Sequence, residues 1–325
     1  MNTYSLKRKI AVLGYGLSLF CMFACRSYQE LQVDTLKPAE FNLKDQARLV
    51  LVDRKIVHQR DHLSSKTLRD ALGVTRDDLV NFFYIGLEDG LAWGEKKMTL
   101  ERLYGMNKVV VDDEYVAPPL IMASILNSTH LTMPDYVLSV EYCRFYLPEN
   151  GRVELSNNLV LCLYDPMSGE MLDSLVSNRL YAQTRRNPLD PHASVREYMY
   201  QKGWSYAERL VPVWVPSTRR IYENHRLLKT GHYFFIKDDL TRAKTFWEAA
   251  LKLKPDTSVK AAVNLAWLHE REGDFDLALQ LLLQAQKRLQ EEGTKKNTDT
   301  TYLEDYIKIL QQRIEDSDKL SEQIP

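Results

Sequence analysis

The chain has 325 residues, enough for two domains with cores of their own. Its 45% hydrophobic and 27% charged residues are ordinary for a globular protein. A formal net charge of −1 with no long basic block leaves no positive footprint for phosphates, so nucleic acid is not an expected partner.

Taken in order, the chain opens with Lys7, Arg8 and Lys9, followed by an apolar run over 10–24 broken only by Gly14, Gly16, Ser18 and Cys21. That run is too short and too glycine-rich to span a bilayer, and polar sequence follows at once. It reads as a secretory signal. Phe23-Ala24-Cys25, with Met22 before it, resembles a bacterial lipobox. Ala24 supplies the small residue before the cysteine, Met22 stands where leucine is usual, and Phe23 departs from the pattern. The resemblance implies that 1–25 is a lipoprotein signal ending in an acylated Cys25. An ordinary cleaved signal is the alternative. Two or more acyl chains hold a protein stably on a membrane. Arg26 is not the aspartate of an inner-membrane retention signal, so the expectation is a lipid anchor in the outer membrane, facing the periplasm. Residues 26–44 are polar with one proline, as a tether from lipid to domain would be.

Residues 45–190 read as a mixed α/β domain. The apolar run 47–52 suits a buried strand. Residues 66–72 and 77–104 read as helical; in the second, Leu79, Phe82, Phe83, Leu87 and Leu91 make one apolar stripe, with Thr75 or Asp77 as cap. A short strand follows at 108–111, then a helix at 120–126 opened by Pro118-Pro119. Strands at 136–147, 153–164 and 171–182 form a meander through a turn at Glu149-Asn150-Gly151. The order resembles amino-terminal domains of curli-secretion and Tol-system envelope proteins, on the phrase Asp135-Tyr136-Val137-Leu138-Ser139-Val140-Glu141. It implies an assembly domain, not a catalyst.

No catalytic constellation emerges. His58 and His62 fall in a polar stretch better read as a loop than as a metal site. Asp112, Asp113 and Glu114 are adjacent and point in alternating directions, which suits a strand-end turn. His269-Glu270 begins like a zinc-protease motif, but Gly273 occupies the second ligand position. Cys143 and Cys162 sit on strands paired through the hairpin, with 143 counted opposite about 156. Two buried thiols are favoured over a disulfide. No metal and no cofactor is expected.

Residues 191–222 read as a linking helix to about Leu210 and a joint, Pro212-Val213-Trp214-Val215-Pro216, whose Trp214 is expected to be buried. From 223 to 291 two helix-turn-helix units follow. Leu227, Gly231, Phe234, Ala243, Trp247, Ala250 and Pro255 fill the places of a tetratricopeptide repeat. The next unit repeats the frame with Leu265, Ala266, Gly273, Phe275, Ala278, Leu282 and Ala285. Small residues let helices approach, the aromatic fills the gap between units, and the proline closes the second helix. A capping helix is expected over 300–316 and a loose tail over 317–325. The lipobox, the phrase Leu36-Lys37-Pro38-Ala39, the leucine-proline-x-tryptophan joint and the repeats together resemble a family of uncharacterised bacterial envelope lipoproteins.

The fold expected is therefore α+β, a mixed sheet domain followed by an all-α tetratricopeptide-repeat-like domain. In such repeats the first helix of each unit lines the concave face. That places His225, Leu228, His232, Phe235 and Ile236, then Lys260, Val263, Trp267, Glu270 and Arg271 on it. His232, Phe235, Trp267, Glu270 and Arg271 are the candidate partner-binding groove; the alternative is that the apolar members pack on the neighbouring helix or domain, the reading favoured for Leu228 and Ile236. The function expected is a lipid-anchored, non-catalytic periplasmic scaffold that holds a protein partner. The alternatives are a secretion or assembly component that oligomerises through the α/β domain, and an envelope hydrolase.

Overall fold

The computed structural model describes residues 28–54, 56–58, 73–103, 109–111, 133–146, 154–182, 191–293 and 297–324. Elements are numbered over these residues. They fall into two compact units. One comprises 36–214 with 320–325, and the other the segments up to Thr35 and from Val215 to Lys319.

The first unit holds a five-stranded sheet. Its strands are β2 (Ala47–Asp53), β4 (Met98–Leu103), β6 (Tyr136–Tyr146), β7 (Glu154–Tyr164) and β8 (Met171–Ala182), in the order β4-β2-β6-β7-β8. Short β3 (Ile56–His58) and β5 (Val109–Val111) pair separately, in parallel. β2 runs parallel to both β4 and β6, while β6, β7 and β8 form the antiparallel meander. A strand flanked by parallel neighbours is covered on both faces and so loses the polar alternation. β2 accordingly buries every residue except Arg48, which forks onto Glu101 of β4 at 2.9 and 2.7 Å.

Helix α1 (Arg76–Trp93) starts at a capping box: Asp78 N–H donates to Thr75 Oγ1 and Thr75 N–H to Asp78 Oδ2. It ends at Trp93, short of the expected end at 104. Gly94 caps it in an extended conformation, and residues 98–103 pair with β2 as β4. Pairing with β2 overrides the helical reading of 98–103, where Met98 and Leu100, two apart, already fall on one face of a strand. Helix α2 (Pro191–Leu210) crosses α1 at a very close approach. A Cβ at Gly86 would lie 2.0 Å from the Tyr200 carbonyl oxygen. One at Gly203 would lie 2.0 Å from that of Phe83, and one at Gly90 would lie 2.6 Å from Ala207 Cβ. These three glycines allow the two backbones to touch.

Cys143 faces Leu159 across the β6–β7 ladder and Cys162 faces Ser139. Both are buried free thiols, as the sequence favoured. The register counted from the turn was off by three residues, and the ladder shifts between Val140 and Tyr142. The helices expected at 66–72 and 120–126, the hairpin turn, Cys25 and the side chains of His58, His62, Asp112, Asp113 and Glu114 lie outside the described residues.

In the second unit, β9 (Val213–Tyr222) leads into α3 (Arg226–Ile236), α4 (Leu240–Leu251), α5 (Pro255–Arg271), α6 (Phe275–Glu291) and α7 (Thr298–Gln323). Three sequence expectations are corrected here. Residues 28–37, read as tether, form β1 (Tyr28–Lys37), which pairs with β9. The tail 317–325 is largely helix, because α7 continues to Gln323. The Gln323 amide accepts from Ala39 N–H and donates to Ala39 C=O, both at 2.9 Å. Trp214 is 44% exposed, since it sits on a strand and not in a packed corner, and its indole N–H donates to Glu95.

Two outcomes test this packing. Gly203→Ala would ordinarily gain about 1 kcal/mol of helix propensity. Here the methyl meets backbone, so we expect a net loss of about 1–3 kcal/mol in the denaturant midpoint. Cys143 has its thiol pushed up to about 12, by burial first, with Arg76 opposing and Asp53 adding. In the native protein at pH 8 it should resist iodoacetamide and become alkylated only on unfolding, as read by peptide mass spectrometry.

Candidate functional site

The candidate site is the inner face of the two helical hairpins, and their local sequence explains how it is built. Asp239 and Asp274, thirty-five residues apart, cap α4 and α6 by accepting from Arg242 N–H and Leu277 N–H at 3.1 Å each. The residues just before them, Asp238 (φ 58°) and Gly273 (φ 82°), make the same left-handed turn. The positions the repeat frame gives to small side chains are buried: Ala243, Ala250, Ala266, Ala278 and Ala285. A Cβ at Gly231 would lie 2.3 Å from Trp247 Nε1, and that buried indole donates to Leu228 C=O at 3.2 Å. Leu265 is buried, Leu227 and Phe234 are half-buried, and Phe234 stacks on Phe246. Pro255 does not close α4; it is the first residue of α5, where a missing N–H costs nothing.

The inner face is filled by the chain itself. Arg219, on β9, is 1% exposed and places a two-pronged bond on Glu270 of α5, with Nε–Oε2 at 2.8 Å and Nη2–Oε1 at 2.7 Å. Tyr306 of α7 donates to the same carboxylate at 2.7 Å, and Arg313 lies 3.9 Å from it. The Asn264 amide brackets β9. It accepts from Tyr222 N–H at 2.8 Å and donates to Tyr222 C=O at 2.9 Å. Arg220 N–H donates to Tyr302, and the Arg220 guanidinium lies 4.2 Å from the Tyr28 ring centre and 4.4 Å from that of Tyr302. Burial by itself lowers Arg219, but the bond and charge of Glu270 outweigh it and hold the guanidinium above its usual range. Burial, then Glu270, pushes the Tyr306 phenol well up.

The expected groove is thus closed. Trp267 and Glu270 are buried, as are Leu228, Lys260 and Val263. His232 is buried, with Nδ1 3.0 Å from Glu223 and its ring stacked on Phe235. Phe235 is half-buried beside Trp247. Arg271 remains on the surface, 3.3 Å from Asp238, and Ile236 is exposed. Helices α3 and α5 carry the positions that the repeat frame gave to the inner face. A capping helix is expected from the sequence and α7 supplies it, but the frame gives no sign that β9 would also occupy the space in front of them. No sequence signal pairs Arg219 with Glu270; they stand far apart in the chain and meet only in the fold.

A second buried charge cluster lies at the end of β2 in the sheet unit. Arg76 reaches Asp53 at 2.8 Å and Arg54 reaches Glu141 at 2.8 Å, the latter two both nearly fully buried. Glu141 falls at the register shift of β6, and its Oε1 and the Ser139 hydroxyl have no hydrogen-bond partner. No group of three metal-ligating side chains occurs among the described residues.

The family described as Domain of unknown function (DUF6340) matches residues 229–312, from α3 into α7. No curated protein matches the chain. Among solved structures, the PelC dodecamer from Paraburkholderia phytofirmans is 14% identical, with 56% of this chain and 98% of that chain covered at a TM-score of 0.29. The hypothetical protein CT253 from Chlamydia trachomatis is 7% identical, with 50% and 96% covered at 0.29. A neuraminyllactose-binding hemagglutinin homolog from Helicobacter pylori is 14% identical, with 62% and 95% covered at 0.21.

Two measurements probe the charge cluster. Glu270→Gln leaves Arg219 buried without its counter-charge and should cost about 3–5 kcal/mol, whereas Arg219→Met with Glu270→Leu should recover most of that loss. Stability should also depend on alkali. Tyr222, Tyr302 and Tyr306 are all raised, burial being the first cause in each. A raised folded value means that stability is complete below the unfolded one, near 10 for tyrosine, and drains away above it. Denaturant midpoints should be level from pH 7 to 9 and fall beyond. A midpoint still level at pH 11 would contradict the burial described.

Proposed function

We propose that this protein is a lipid-anchored, non-catalytic scaffold of the bacterial envelope. In this reading it holds a protein partner on the outer surface of its helical hairpins, not in their concave face. The observation that carries it is the closed inner face. Arg219, Glu270, Tyr306 and Asn264 are spent on fixing the chain's own strand, and their charges and amide groups already have partners. A buried network whose central carboxylate and amide are hydrogen-bonded in this way gives a rigid platform. The Cys25 anchor and the periplasmic face of the outer membrane belong to the same reading and rest on the lipobox and on Arg26.

A second reading is favoured by one specific feature. β8 ends the five-stranded sheet, and Val176 and Met171 on it are exposed. An unpaired strand edge is a template for another strand, so this unit is suited to assembly into oligomers.

In-cell crosslinking with mapping of the attached residues separates the two readings. The scaffold reading expects a different protein crosslinked to residues between 223 and 323. Copies of this chain joined through 171–182 would replace it with the assembly reading. Anchoring is tested by feeding cells an alkyne fatty acid: the wild-type chain should become labelled and Cys25→Ser should not.

A further inference from the structure

The buried side of α3 is occupied by Leu228, Gly231 and His232. Its outer side carries Arg226, Lys229, Tyr233, Ile236 and Lys237, all exposed. They are spaced by three or four residues or adjacent, so they form one stripe on the helix. Tyr233 is 53% and Ile236 68% exposed, two large apolar side chains side by side on one surface. Arg226, Lys229 and Lys237 make no ion pair among the described residues. The acids nearest in sequence are engaged elsewhere, Glu223 with His232, Asp238 with Arg271 and Asp239 with Arg242. Lys237 Nζ donates to the Tyr233 hydroxyl, and its charge sits 4.4 Å from the ring centre.

We propose that this stripe is a contact site for an anionic phospholipid bilayer. Three cations without counter-charges call for an anionic surface. Between them, Tyr233 and Ile236 offer the tyrosine and aliphatic pair that partitions into the headgroup boundary, while lysine and arginine stems reach outward to phosphate. The outer side of a single helix is convex. A partner peptide or helix needs a groove to lie in, whereas a planar bilayer does not. The site orients the helical unit on the membrane. It goes beyond the scaffold reading and holds with or without acylation at Cys25.

The test uses the full chain reconstituted into vesicles, with a photo-crosslinking amino acid at position 236. Position 283, an exposed leucine on α6, serves as control. Vesicles of phosphatidylcholine alone are compared with vesicles that also contain phosphatidylglycerol. Any leader or acyl chain inserts into both kinds, so the difference between them reports on the stripe. The expected result is lipid adducts at 236 in the anionic vesicles, about fivefold fewer for each of Lys229→Glu and Lys237→Glu, and few at 283 in either. Equal adducts from neutral and anionic vesicles would overturn the proposal, as would equal yield at the two positions. In cell envelopes, a protein adduct at 236 in place of lipid would do the same, and would assign the stripe to the scaffold's partner.

Discussion

A guanidinium and a carboxylate removed from water together cost several kcal/mol each, and their attraction repays that only when the geometry is good and the remaining lone pairs are used. Arg219 and Glu270 meet both conditions through two parallel bonds, with Tyr306 taking a further lone pair of the same carboxylate. One residue comes from a strand, one from the second helical hairpin and one from the last helix. The pair therefore sets where β9 and α7 lie on the repeats. Apolar burial supplies most of the driving force through Trp247, Leu228, Leu265, Leu303 and Leu310, but hydrophobic contact has no preferred direction. The charged pair supplies the register.

Side-chain amides do related work at two places. Asn264 brackets the N–H and C=O of Tyr222, and Gln323 brackets those of Ala39. Each satisfies backbone at or beyond the end of a strand, which matters because an unpaired buried N–H or C=O costs about as much as a lost hydrogen bond. Neither residue looks distinctive in the sequence. A carboxamide in a helix is usually solvated, and only the arrival of another backbone segment at its face turns it into a bracket.

The outcome for function follows from the same packing. The concave face of a repeat pair is expected to wait for a partner. Here it is covered from within, so the surfaces left for recognition are the outer sides of the hairpins and the edge of the sheet. The exposed stripe on α3 and the exposed residues of β8 are two places among the described residues where apolar side chains reach the surface.

Local rules fixed a good deal. The small residues at 231, 243, 250, 266, 278 and 285, the strand meander over 136–182 and the helix over 191–210 follow from periodicity and from turn and cap residues, which act over a few positions. The mixed sheet followed by a helical half could be read from them. What they did not reach was decided by partners distant in sequence. Residues 28–37 became a strand because β9 was available to pair with them. Residues 98–103 became a strand because β2 offered a parallel edge. Gly86, Gly90 and Gly203 mattered because two helices, more than a hundred residues apart in the chain, meet backbone to backbone. For Trp267 and Glu270 the repeat frame left packing and partner contact both open, and both are buried, since burial is a property of what lies opposite. A sequence sets what a segment can do alone; only the tertiary structure sets which surfaces remain for water.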